Sequence, residues 1–419
     1  AETPSFRDAL RSLLKRIHDY PFTGGNGEVA STDIFSMTLK AGVNSMHINQ
    51  RFDGGNIVCL DASDPGAVEL QIRSDVGDEH KQWFYFQVLD ARDQPCRFDI
   101  TNAGQVSFPR AFHDYQAVAS YDREFWFRVP TRYDGQTLTI EHSPETDSIY
   151  YAYFAPYSFE RHQQLIAATL ASPQVQADTL CITPDGHPLT RLTIGEPASD
   201  KKVCWIIGRQ HPGETMAEWW MEGFLERLLD EQDSLSRQLL EHCVFHVVPN
   251  MNPDGSVRGH LRCNAHGRNL NREWLEPSKE FSPEVYFVRE AMAKTGVDFC
   301  LDVHGDEELP YNFIAGAEGI PAWNKHMALQ LSTFKSVLQT ACPDFQTDVG
   351  YPIAEPGKAN LTLCTAYVAE HHKCLAMTLE MPFKDTTATP MPSTGWSPDR
   401  CQRLGAANID AIWQVLPLL

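Results

Sequence analysis

Residues 203–230 read VCWIIGRQHPGETMAEWWMEGFLERLLD. The first seven form an apolar run of strand length. The last sixteen are helical, because Trp220, Phe224 and Leu228 recur every fourth residue, joined by Met221 and Leu225. Between the two lies QHPGE, so His211 and Glu214 stand where a strand gives way to a helix. Such a junction holds functional side chains on rigid supports and leaves them reachable.

The same rhythm continues along the second half. CVFHVVP, VDFCLDVH and CLAMTLEM are further strand-like runs. Helical patterns occupy 214–230, the surroundings of 283–294 and 360–371, and a last segment near 398–415. Strands alternating with helices imply an α/β unit whose mostly parallel, doubly wound sheet has helices on both faces. Ligands bind such sheets at the carboxyl ends of the strands. That rule selects His211 and Glu214, the NPDG loop at 252–255, and His304. Asn252, Asp254 and Gly255 themselves have turn chemistry and would position a site.

The first half differs. WFYFQVL, CRFDIT, FWFRVP, LTIEHS and IYYAYF are short strands punctuated by Gly, Asn, Asp and Pro. This predicts an antiparallel β-sandwich over 45–157, followed by the α/β unit over 158–419. Residues 1–44 stand apart; their opening has an amphipathic helical pattern without an apolar signal core.

Composition narrows the function. The chain has 419 residues and is 42% hydrophobic, enough for more than one packed core. Its formal net charge of −20 disfavours nucleic acid and anionic membranes as partners. No apolar run is long enough to span a bilayer. Eleven cysteines without a C-x-x-C pair suggest free thiols in a reducing compartment, hence a cytoplasmic protein. Oligomeric state is not legible.

Zinc takes imidazole and carboxylate donors, and a hydrolytic zinc site leaves a position open for water. His211 and Glu214 could supply two ligands from one turn and His304 a third, with Asp302 orienting an imidazole from behind. The same residues also permit a purely structural reading. Glu214 suits the first turn of a helix, where the dipole favours an acid, and His304 suits a hydrogen-bonded core position. His246, His371 and His372 have no ligand role in either reading.

One long segment, NPDGSVRGHLRCNAHGRNLNREW (252–274), adds specificity. Together with HPGE (211–214) and DVHGDEE (302–308) it resembles the zinc metallocarboxypeptidases, in particular the cytosolic carboxypeptidase branch. FDGGNI, HKQWFYFQV and YFAPYSFERH resemble that branch's accessory β-domain, and TLEMPFKD resembles the strand bearing its catalytic glutamate. The resemblance runs from about residue 50 to the C-terminus.

It implies one zinc ion per chain held by His211, Glu214 and His304. It implies Glu380 as general base to a zinc-activated water, and Arg262, in G-x-x-R, as the oxyanion's partner. Asn271 and Arg272, in NLNREW, would grip the terminal carboxylate of a peptide or protein tail. The chemistry suits these residue types: a planar guanidinium reads a carboxylate bidentately. Much of the branch removes C-terminal glutamates through a Gly-Thr-Gly-Arg segment. Here the corresponding region is GYPIAEPGKANLTLC, which lacks it, leaving Lys358 as the basic candidate for an acidic side chain and Arg268 as a further contributor to a basic mouth. The tyrosine that closes over substrate is unplaced between Tyr311 and Tyr351. The alternatives are a zinc-dependent N-acyl amino-acid deacylase of the aspartoacylase type, and a binding module whose hydrolase half is inactive.

Overall fold

The computed structural model describes residues 46–419. The helical pattern expected near the N-terminus lies outside them.

A seven-stranded mixed sheet organises the second half. Its strands run in the order Val175–Ile182, Pro188–Ile194, Cys243–Val248, Lys202–Gly208, Phe299–Asp306, Leu375–Pro382, Phe313–Ala315. The four strands from Cys243–Val248 to Leu375–Pro382 are mutually parallel, and the outer ones join antiparallel. Both faces are covered, which is why the central strands read as continuous apolar runs. Cys204, Ile206, Leu301, Val303, Met377 and Leu379 face one core with helices Met216–Leu228 and Pro398–Val415. Trp205, Ile207, Cys300 and Ala376 face a second core with helices Pro283–Thr295 and Cys364–His372. The alternation is the strand's period of two, applied to a sheet wound on both sides. The sequence pattern missed the outer hairpin Val175–Ile194 and the helix Lys325–Ala341.

The first half contains two five-stranded sheets whose inner faces meet through aromatic residues. Phe86 and Phe98, one from each sheet, have ring centroids 5.8 Å apart. All named strand pairs but one are antiparallel. Val68–Gln71 and Cys96–Ile100 run parallel. A parallel pair needs a long crossover, and the chain supplies it by visiting the other sheet as strand Tyr85–Leu89 in between.

The two halves share one continuous apolar core. Tyr153 stacks on Phe383 at 4.5 Å between ring centroids. Arg128, half-buried nearby, donates to the carbonyls of Gln116, Phe383, Thr394 and Trp396 at 2.6–3.1 Å.

Candidate active site

The turn after strand Lys202–Gly208 is held from several sides. Arg209 adopts a left-handed φ of 55°. Its guanidinium donates to Pro212 O and Tyr157 O, each at 2.9 Å, and to Glu218. Gly213 N donates to Leu261 O at 2.9 Å. The NPDG segment, expected as a turn, is instead the start of a short helix, Pro253–Arg258. Asn252 caps it by accepting from Gly255 N at 3.1 Å, and proline at the first helical position has no amide to waste. Gly255 lets this helix press on the turn: a Cβ there would stand 2.4 Å from Pro212 Cγ.

These supports bring His211 and Glu214 to His304, on the parallel strand next door. The three side chains offer ligand atoms within 4.8 Å of one another, and all are buried. His211 Nδ1 lies 2.7 Å from Glu214 Oε1, and His304 Nδ1 lies 2.8 Å from Glu214 Oε2. Each imidazole has its other nitrogen occupied. His211 Nε2 meets Asn269 Oδ1 at 2.9 Å, and His304 Nε2 meets Asp302 Oδ2 at 2.8 Å. If those nitrogens carry the protons, both Nδ1 lone pairs point at a carboxylate, an arrangement of three electron donors that suits a divalent cation. Charge follows the same geometry. Burial, reinforced by Arg262, lowers His211 to a pKa of about 4. Burial also disfavours a charged His304, but Asp302 and Glu214 outweigh it and raise its pKa well above the usual value. Against burial, the two imidazoles hold the Glu214 carboxyl well below the carboxylate range.

Glu380 is the register partner of His304 on the adjacent parallel strand. Burial pushes its pKa far above the carboxylate range; His304 opposes this, and Glu214, Asp306 and Glu307 reinforce it. One oxygen, Oε1, accepts from the Tyr351 hydroxyl at 3.1 Å, while Oε2 is buried without a hydrogen-bond partner. The same hydroxyl lies 2.6 Å from Asp306 Oδ2, so its single proton is shared between the two carboxyl groups.

An open cleft of about 1060 Å³ brings these groups together with Arg262, Asn271 and Arg272. Arg262 lies over the Phe108 ring, its carbon 5.4 Å from the centroid, so the sandwich half also contributes to the cleft. Asn271 Oδ1 accepts from Cys364 N at 2.9 Å, and Arg272 Nη1 donates to Asn271 O at 2.8 Å. Lys358 does not join them. It is exposed in the turn Glu355–Lys358 and is not among the lining residues. Arg268 is exposed, over the Phe281 ring. Tyr311 is not on the cleft either, whereas Tyr351 is. Sequence reasoning gave no role to Asn269, Gln210, Asp306 or Glu307. Asp306 and Glu307 follow His304 directly in DVHGDEE, and that adjacency was the available signal.

Residues 164–400 match the family model described as zinc carboxypeptidase, over half of the chain. The chain belongs to the zinc carboxypeptidase family. Residues 48–154 of this carboxypeptidase match a second model, the cytosolic carboxypeptidase N-terminal domain. A metallo-carboxypeptidase from Burkholderia cenocepacia is 45% identical, with a TM-score of 0.87 over 89% of this chain and 100% of its own. The metallo-carboxypeptidase from Pseudomonas aeruginosa, solved with (2-guanidinoethylmercapto)succinic acid, is 44% identical, with a TM-score of 0.86 over 89% of this chain and 99% of its own. Cytosolic carboxypeptidase 2 of Xenopus tropicalis is 29% identical over 72% of this chain; the matched part spans 34% of that longer protein. The carboxypeptidase is thus a peptide hydrolase of the metallocarboxypeptidase class. No helix among its described residues is long and apolar enough to cross a membrane.

Proposed function

We propose that this carboxypeptidase removes the C-terminal residue of peptides or protein tails in the cytoplasm, using one zinc ion. The observation that carries the reading is the meeting of His211, Glu214 and His304 beside Glu380 in a cleft also lined by Arg262, Asn271 and Arg272. His211, Glu214 and His304 would hold the zinc. When bound, the ion supplies a Lewis acid for the scissile carbonyl and acidifies a water. Glu380, with one oxygen free, takes the proton of the attacking water and passes it to the leaving amine. Arg262 offers a guanidinium to the oxyanion of the tetrahedral intermediate. Asn271 and Arg272 fix the free carboxylate, which makes the enzyme an exopeptidase. Residues 158–419 carry the chemistry, and 45–157 form an accessory unit that supplies Phe108 beside Arg262.

The acidic preference expected from the sequence requires a cation in the cleft. Lys335, on helix Lys325–Ala341, serves that reading better than Lys358 because it lines the cleft. A second reading has the opposite sign. Glu318 and Asp348 also line the cleft, and the ligand of the Pseudomonas relative combines a guanidino group with succinic acid, which favours a basic terminal side chain. The test is a digest of otherwise identical peptides ending in Glu, Arg and Phe by metal-replete enzyme, read by mass spectrometry. Loss of single C-terminal residues supports the exopeptidase, and the preferred terminus selects the sign. Cleavage of acetyl-aspartate with no action on any peptide would overturn the proposal in favour of a deacylase.

A further inference from the structure

A second group of metal-ligating side chains lies apart from His211, Glu214 and His304. Asp78, His80 and Cys263 offer a carboxylate oxygen, an imidazole nitrogen and a thiol sulfur within 4.8 Å of one another. They come from both halves of the molecule. Asp78 and His80 belong to a sandwich loop, while Cys263 directly follows Arg262.

The loop is built against that segment. Asp75 N donates to His80 O at 2.8 Å, which closes residues 75–80 into a tight turn. The Asp75 carboxylate accepts from the amides of Leu261, Arg262 and Cys263 at 2.7–2.8 Å. Val76 N donates to His260 Nε2 at 3.1 Å, and His260 Nδ1 meets Cys263 O at 2.9 Å, so the ring bridges loop and segment. The backbone frame is therefore fixed before any ion arrives. His80 Nδ1 already touches Asp78 Oδ1.

We propose that Asp78, His80 and Cys263 form a separate site for a soft divalent cation, which pins the sandwich loop to the segment bearing Arg262. Sulfur, nitrogen and oxygen donors from three side chains are a combination that zinc and cadmium accept, and the thiolate makes this site softer than the His–Glu–His group. Entry is open on one side. The side chains of His80 and Asp78 are 36% and 27% exposed, whereas Cys263 is fully buried. Burial and the neighbouring Asp75 and Asp78 raise the thiol's pKa, which argues against Cys263 as a free nucleophile. Binding forms a sulfur–metal bond, breaks the S–H bond and releases that proton to solvent, so uptake strengthens as pH rises.

The test adds Cd2+ to the zinc-loaded enzyme and follows the thiolate-to-cadmium charge-transfer band in the near ultraviolet, with bound metal counted after dialysis. A cation exchanged into the His–Glu–His group gives no such band. The expected result is one extra equivalent with the band and a raised melting temperature. Cys263→Ser should abolish the band. His80→Ala, which leaves the buried thiol in place, should weaken cadmium binding at least tenfold. Cys59→Ser, at an exposed thiol, should leave the band intact. Failure of the band to form in the unaltered enzyme, or its persistence at full strength in both Cys263→Ser and His80→Ala, would overturn the proposal. Neither result depends on which peptide the enzyme cleaves.

Discussion

Glu380 combines a free buried oxygen with burial that raises its proton affinity, reinforced by Glu214, Asp306 and Glu307. A carboxylate beside His304 can accept a proton because zinc's charge, once present, opposes the burial effect. Glu380→Gln keeps the shape and removes the proposed base. It should lower kcat by about 10²–10⁴-fold, with zinc content unchanged by metal analysis. An unaltered rate would reject the assignment. Arg262→Ala should cost about 10²–10³-fold in kcat if the guanidinium meets developing charge, with a smaller effect on KM. A loss confined to KM would instead make Arg262 a ground-state binder. At this scale the ligand-type residues were legible because they sit beside strand ends. Lys358 was chosen as the basic residue in its stretch, but a stretch does not say which side faces the cleft. Asn269 was missed because its contribution, an oxygen on His211 Nε2, comes from 58 residues away.

The elements that carry these residues have their own tests. Asn252 caps helix Pro253–Arg258 and also donates to Gln210 O at 3.0 Å, so it joins the helix to the turn bearing His211 and Glu214. Asn252→Ala should destabilise the protein by on the order of 2 kcal/mol in urea unfolding, more than a lost cap alone, because a buried carbonyl is left unpaired. At the start of helix Pro283–Thr295, Glu284 is fully buried, and burial pushes its pKa from 4.5 to about 7. The folded state therefore holds a proton that the unfolded chain has already released between those values. The resulting stabilisation is complete below pH 4.5 and is lost as pH rises through about 7. Glu284→Gln, neutral throughout, should flatten that slope, worth on the order of 3 kcal/mol at most. Equal slopes in the two proteins would exclude Glu284 as its source. The central strands were readable because sheets covered on both faces impose unbroken apolar runs. The hairpin Val175–Ile194 was not, since its first strand is largely exposed and its register shifts between Thr179 and Cys181, which breaks any alternation. Helix Lys325–Ala341 does have a helical spacing, in Met327, Leu331, Phe334 and Leu338, all buried.

Across the whole molecule, sandwich and sheet share one core, stacked at Tyr153 and Phe383. Such continuity predicts a single cooperative thermal transition, with equal calorimetric and van't Hoff enthalpies. Two resolved transitions would show that the halves unfold separately. The sequence revealed that there were two halves through their different rhythms. It did not reveal how they meet, because that seam is built from long-range contacts with no local period. The guanidinium of Arg128 is its most demanding part, reading carbonyls at 116, 383, 394 and 396. Arg128→Lys leaves several of those oxygens without a donor and should lower the melting temperature by several degrees, on the basis of about 1–3 kcal/mol per buried group left unpaired.

An arginine whose hydrogen bonds all go to main-chain carbonyls is blind to the side chains those carbonyls belong to. Thr394 should therefore accept many replacements through drift or engineering with little loss, provided the path of the chain is kept. Gly395 should not: its φ is +64°, and a Cβ there would stand 2.7 Å from Arg128 Nε. A saturation library across 393–396, sorted for folded protein, should come back permissive at one position and almost monomorphic at its neighbour.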